Sequence, residues 1–296
     1  MLRVNIREIT VAGAQAGPYG ITAGPDGALW LTFTHAGRIA RLTTGGEVTT
    51  FDLGAPDSQP MVITSGPDGA LWFTRNRDDR IGRITTGGDL TDFALPTPGS
   101  GPYAITTGPD GALWFTEMNT DRIGRLTPEG DLREFEVPAE KAFVSVITSG
   151  PDDALWFTLN QADAVGRITT DGQVTLHQLP TQGAAPVGIT ATADALWFVE
   201  IGAGQVGRIT PAGRIDEFAL PDTAARPHAI TPDATGGCWL TEWGANRVAH
   251  ITATGEITEH ELPTPKSEPH GLVLGPDGNL WVALETGGVA VLECAQ

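Results

Sequence analysis

The sequence predicts an all-β protein, a seven-bladed β-propeller of four-stranded antiparallel blades, and three observations carry that prediction. Seven of the eight tryptophans, Trp30, Trp72, Trp114, Trp156, Trp197, Trp239 and Trp281, recur at spacings of 42, 42, 42, 41, 42 and 42 residues, and repeats of about 40 to 45 residues have the length of a propeller blade. The text around each Trp is nearly constant: GPDGALWFT at 66 to 74 and 108 to 116, RIGRIT at 80 to 85, then a Phe-x-Leu-Pro run such as Phe93 to Pro96. Finally, 38 Gly and 22 Pro in 296 residues are spread evenly, which favours short strands and turns over long helices.

Within each unit, four short apolar runs separated by turn signals match a four-stranded sheet. In the second unit they are Val62 to Ser65, Ala70 to Thr74, Ile81 to Thr85 and Leu90 to Leu95. Gly-Pro-Asp-Gly fits the first hairpin connection, with Pro presetting one φ and Gly supplying a positive one. Strands apolar on both faces need cover on both, which radial stacking of sheets provides. After Trp281 there is room only for a third strand, Val289 to Glu293, while Ile6 to Val11 is a spare one. Ile9 lies 21 residues before Trp30, as Phe51, Phe93 and Phe135 lie 21 before their own tryptophans. The N-terminal strand is therefore expected to complete the last blade, closing the ring and removing two sheet edges, with 1–296 a single domain.

Eighteen basic against 36 acidic side chains give a formal net charge of −18. This counts against nucleic acid, whose binding draws on clustered Lys and Arg, and against anionic membrane surfaces. No apolar run resembles a signal peptide or reaches the roughly 20 residues of a spanning helix, so the expected location is the cytoplasm. Cys238 and Cys294 form neither a metal spacing nor a disulfide framework and read as buried free thiols.

A repeat protein can be compared with itself. The Trp, the turn Asp and the Gly-Arg of RIGRIT recur and therefore serve the blade. Polar groups found in one or two units need another reason, and they concentrate at one position. Eleven residues before each Trp (ten in the shortened unit) stand Tyr19, Met61, Tyr103, Ser145, Val187, His228 and His270, which include both tyrosines of the chain. His177 and His260 replace the outer-strand Phe, His250 replaces the RIGRIT Arg, and His35 falls in a variable loop; for these four the expectation is solvation or edge packing. Glu268 and His270 precede the first strand of unit seven, and Glu285 follows its second, on the same face of the disc. Counting back along the hairpin puts Glu285 across from His270, where Cβ atoms face each other at about 4.5 to 5.5 Å. Glu268 is the one acid at a position otherwise held by Gly17, Gln59, Gly101, Phe143, Ala185 and Arg226. Glu242 and Trp243 are expected near His228. Two carboxylates with open positions suit Mg²⁺ better than zinc, and a neighbouring His is a plausible general base. A surface ion cluster at the end of a weak blade is the competing reading.

These motifs, together with ARPHAIT around His228, TEWGAN at Thr241 to Asn246 and SEPHG at Ser267 to Gly271, resemble the virginiamycin B lyase (streptogramin B lyase) family over essentially the whole chain. The resemblance implies a monomeric, Mg²⁺-dependent propeller, a carbon–oxygen lyase that linearises streptogramin B-type cyclic depsipeptide antibiotics by elimination at their ester bond and confers resistance. It further implies Glu268 and Glu285 as metal ligands, His270 as proton acceptor and His228 as a substrate-binding residue. Tyr19, Tyr103 and Trp243 offer aromatic surface to such a ring, or else pack between blades. Where the family commonly follows the late Glu with polar or basic residues, this chain has Thr286-Gly287-Gly288. A propeller hydrolase using the same metal and a non-catalytic interaction platform are the alternatives.

Overall fold

The computed structural model describes residues 4–293, and its regular elements are twenty-eight strands in seven four-stranded sheets. Six blades are formed by consecutive strands; blade one, for example, uses Pro18–Ala23, Leu29–Phe33, Arg38–Leu42 and Val48–Asp52. Blade seven uses Pro269–Leu274, Leu280–Leu284 and Gly288–Glu293, and its fourth strand is the N-terminal Asn5–Thr10. That strand pairs antiparallel with Gly288–Glu293 over six residues, from Asn5 opposite Glu293 to Thr10 opposite Gly288. The expected ring closure is thus present. Among the described residues no helix is long and apolar enough to cross a membrane.

Second and third strands such as Leu29–Phe33 and Arg38–Leu42 are largely buried, first strands such as Pro18–Ala23 partly so, and fourth strands such as Val48–Asp52 have no buried residue. First strands contact first strands of both neighbouring blades, so they line the central channel. The recurring residues build the blade. Asp26, Asp68, Asp110, Asp152 and Asp277 each accept the indole N–H of their blade's Trp, at 3.1, 2.9, 2.9, 2.9 and 3.0 Å. In blades one to four the other Asp oxygen accepts Nε–H of Arg41, Arg83, Arg125 or Arg167 at 2.6 to 2.7 Å. In blade six His250 takes the Arg role, with Nε2 2.6 Å from Asp233. His177 stacks on Trp156 at 5.5 Å, as Phe51 stacks on Trp30 at the same distance, and His260 lies against Trp239. The Gly of RIGRIT leaves room for a neighbouring ring: a Cβ at Gly124 would stand 2.0 Å from Phe115.

A second recurring device joins blade to blade. Two residues after the Trp, the hydroxyls of Thr32, Thr74, Thr116, Thr158 and Thr241 donate to carbonyl oxygens of the next blade's first strand, at Met61, Tyr103, Ser145, Val187 and His270, over 2.6 to 2.9 Å. Each also accepts a backbone N–H from its own blade's first strand. Val199 and Ala283 occupy the position in blades five and seven. Cys238 is buried, and burial pushes its thiol up well beyond the neutral range; Cys294 lies outside the described residues.

Candidate active site

The first strand of every blade opens with a bulge that aims one side chain at the channel. In blade seven Pro269 pairs with Leu284 and the next pair is Leu272 with Val282, so His270 and Gly271 together oppose Ala283. An extra residue of this kind bends the strand and redirects its side chain. The same slip follows Pro18, Pro102 and Pro227, which precede Tyr19, Tyr103 and His228. The bulge corrects the expected register: Glu285 is not across from His270, because its N–H bonds the carbonyl of Glu268 at 3.1 Å. The side chains meet nevertheless, with Nε2 of His270 2.5 Å from Oε2 of Glu285.

Four blades contribute to one hydrogen-bonded chain. Tyr103 Oη and Tyr19 Oη are 2.6 Å apart, and Tyr19 Oη is 3.3 Å from Nε2 of His228. Nδ1 of His228 faces Nδ1 of His270 at 3.5 Å, and the other Glu285 oxygen lies 3.0 Å from Nε2 of His35. One assignment of protons satisfies every contact: Tyr103 donates to Tyr19, Tyr19 to His228 Nε2, His228 Nδ1–H to His270 Nδ1, His270 Nε2–H to Glu285, and His35 Nε2–H to Glu285. The channel wall packs around His228, and this burial first, then the repulsion it would meet from His270 if both were protonated, depresses its pKa to about 3. His228 is therefore neutral, as the assignment requires. The hydrogen bond from His270 holds the Glu285 carboxyl below its usual range. Burial raises both tyrosines, Tyr19 further through Tyr103 and Glu285, so both keep their protons.

Tyr19 packs its ring against His270, centroids 4.4 Å apart, and Trp243 approaches the same imidazole at 6.5 Å. Tyr103 is buried in the core with Met61 and Val144 and meets the site through its hydroxyl. Trp243 lines an open groove with Arg226, Asn246, Lys266 and Glu268, and the Arg226 guanidinium lies 5.7 Å from its ring. Glu242, expected at the mouth, is instead fully buried inside its blade near Glu259. His35, expected to be ordinary surface, belongs to the site; its contact joins the first blade to the last, and no spacing within a unit announces it.

Glu268 has φ +54, and the same position is left-handed in all seven units: Gly17 +66, Gln59 +52, Gly101 +59, Phe143 +56, Ala185 +49 and Arg226 +51. The unusual backbone thus belongs to the blade; the carboxylate belongs to unit seven alone. It is exposed and makes no side-chain hydrogen bond or ion pair, while its backbone is tied to Glu285. Among the described residues no group of three or more His, Cys, Asp or Glu side chains could hold a metal ion. Glu268 and Glu285 are neighbours through their backbones, and oxygen ligands of this kind would suit a hard cation that keeps most of its waters rather than the filled tetrahedron of a structural zinc.

A propeller whose mouth carries a buried imidazole held between a carboxylate and aromatic walls is a small-molecule site, equipped for proton transfer to or from a bound ligand. The chain belongs to the virginiamycin B lyase family, whose model matches residues 4–292. It is 43% identical to the crystallised virginiamycin B lyase from Staphylococcus aureus, with a TM-score of 0.95 over 99% of this chain and 100% of that one. A catalytically inactive H270A virginiamycin B lyase from Staphylococcus aureus with quinupristin is 42% identical, with a TM-score of 0.95 over 99% and 100% of the two chains. A virginiamycin B lyase from Saccharopolyspora erythraea is 64% identical over 52 residues, 18% of this chain and 17% of that one. The matched segments thus span about a fifth or less of the length of the curated relatives.

Proposed function

We propose that this protein is a carbon–oxygen lyase that opens streptogramin B-type cyclic depsipeptides at their ester bond by elimination, dependent on Mg²⁺. The observation that carries the proposal is the held imidazole of His270, bonded to Glu285 at 2.5 Å at the mouth of a propeller of this family. Family membership and the quinupristin complex of a 42% identical lyase support the substrate class.

In this mechanism the Glu285 carboxylate accepts Nε2–H of His270 and leaves the lone pair on Nδ1. The facing His228 is 3.5 Å away, a long contact that a substrate C–H can displace. Nδ1 of His270 removes the α-proton of the threonine-derived residue; the Cα–H electron pair becomes the Cα=Cβ bond, and the Cβ–O bond breaks to release the ester carboxylate. The proton passes from Nδ1 to solvent, and no water is consumed. Glu285 stabilises the imidazolium formed in between. Mg²⁺ on Glu268 and Glu285 would supply a Lewis acid for charge developing on the substrate. Tyr19 and His228 hold the base in place, and Trp243 provides apolar surface for the ring.

The test is mass-resolved incubation of the purified protein with a streptogramin B compound, with Mg²⁺ and with chelator. Elimination gives a linear product of unchanged mass. A product heavier by one water makes the protein a hydrolase, and turnover indifferent to chelator removes the metal.

A further inference from the structure

All five blade-to-blade threonine hydroxyls make the same pair of bonds, but the one in blade six joins different residues. Thr241 accepts the N–H of Ala229, which follows His228, at 3.0 Å, and donates to the carbonyl of His270 itself at 2.9 Å. One hydroxyl, buried completely, therefore ties together the two backbones whose imidazoles face each other at 3.5 Å. The two units without the hydroxyl are equally informative. Val199 stands where a threonine would reach the carbonyl of His228, and Ala283 where one would reach that of Tyr19. In both places a glycine of the preceding blade lets the carbonyl approach: a Cβ at Gly188 would lie 2.7 Å from the His228 oxygen, and one at Gly271 2.6 Å from that of Tyr19. Among the carbonyls of Tyr19, His228 and His270, only that of His270 is held by this device.

We infer that Thr241 is a positioning residue for the proposed reaction, its hydroxyl fixing His270 against His228. The inference rests on the reading of His270 as the base. A hydroxyl bonded on both sides cannot be removed without leaving a buried N–H and a buried carbonyl unpaired, and at Thr241 the freed carbonyl belongs to the residue proposed to move the proton. The other four hydroxyls hold Met61, Tyr103, Ser145 and Val187 in the same geometry. Thr158 supplies the matched control: its bonds go to Val146 N–H and the Val187 carbonyl, neither of them in the hydrogen-bonded chain, whereas Thr32, Thr74 and Thr116 bond backbone at or next to Tyr19 and Tyr103.

The experiment compares Thr241→Val, Thr241→Ala and Thr241→Ser with Thr158→Val, whose bond goes to Val187. Val and Ala already occupy this position in blades five and seven, so the fold accepts both. Thr241→Val and Thr241→Ala are expected to lower kcat about tenfold or more with little change in KM, because a displaced base slows proton transfer more than it weakens binding. Thr241→Ser restores most of the loss, and Thr158→Val stays within about twofold of wild type. A second readout does not depend on turnover. In imidazole NMR spectra of the six histidines, Thr241→Val should shift the His228 and His270 signals, and Thr158→Val should leave them in place. Failure of the wild type to open the ring would reject the proposed function while the spectra still decide the role of Thr241. Equal activity and equal imidazole spectra in Thr241→Val and Thr158→Val would overturn the inference.

Discussion

Replacing Glu200 by Gln should stabilise the protein, and only above the acid range. Glu200 ends the second strand of blade five, Leu196–Glu200, and is fully buried. Oε2 accepts from Gln205 Nε2 at 2.6 Å, and Oε1 has no partner. Where Gln205 stands, blades three and six, which carry the matching acids Glu117 and Glu242, have Arg122 and Arg247, so this carboxyl lacks the cation available to its counterparts. Burial raises its pKa from 4.5 to about 7; the bond from Gln205 opposes this, and Glu217 and Asp163 add to it. Because the folded state holds the proton more tightly than the unfolded chain, the stability it contributes is complete below pH 4.5 and is lost as pH rises through about 7. That difference corresponds to about 3 kcal/mol, an order-of-magnitude figure for the cost of ionising Glu200 in place. Gln is neutral at every pH and can keep the contact with Gln205. Thermal unfolding of wild type and Glu200→Gln at about pH 4 and about pH 8 measures the effect. The variant should gain on the order of 5 °C at the higher pH and almost nothing at the lower. An advantage of the same size at both pH values, or none at the higher, would refute the assignment of a buried, uncompensated charge.

His270→Ala should abolish ring opening, a loss of at least about a thousandfold in kcat, while circular dichroism and melting temperature stay near those of wild type, since the blades carry the fold. If the proposed Mg²⁺ dependence holds, Glu268→Gln should raise the Mg²⁺ concentration needed for half-maximal activity without altering stability; an unchanged Mg²⁺ curve would remove this residue from the proposed metal site. Asp110→Ala frees the buried indole N–H of Trp114 and the Arg125 guanidinium. Its expected cost is about 2 kcal/mol by denaturant unfolding, with activity per folded molecule unchanged.

The propeller was legible because each blade repeats a solution to the same packing problem. Six of the seven lattice tryptophans are buried to within 1% of complete exclusion, Trp239 being the exception, so their spacing records the blade directly. Subtracting that repeat also exposed the channel position, and Tyr19, Tyr103, His228 and His270 do come together there. Two things escaped. A bulge adds a residue without changing its type, so counting along the Glu285 hairpin gave the wrong backbone partner. His35 sits at a loop position that differs in every unit but two, where blades five and six both have Gly, and its value comes only from the closed ring placing blade one beside blade seven. The burial of Glu242 was hidden for a similar reason: an acid at the end of a strand looks the same in sequence whether its side chain turns outward or into the blade.

Closure of the ring has a consequence along the chain as well as in space. His270 and Glu285 belong to the one blade assembled from both ends of the described chain, with Asn5–Thr10 laid against Gly288–Glu293. The two paired strands stand 277 residues apart in sequence, Thr10 and Gly288 being separated by all the other blades. The proposed base therefore gains its full setting only in the finished ring: a chain cut directly after Leu284 would keep Tyr19, Tyr103, His228 and His270 but lose both Glu285 and the strand that pairs with Asn5–Thr10.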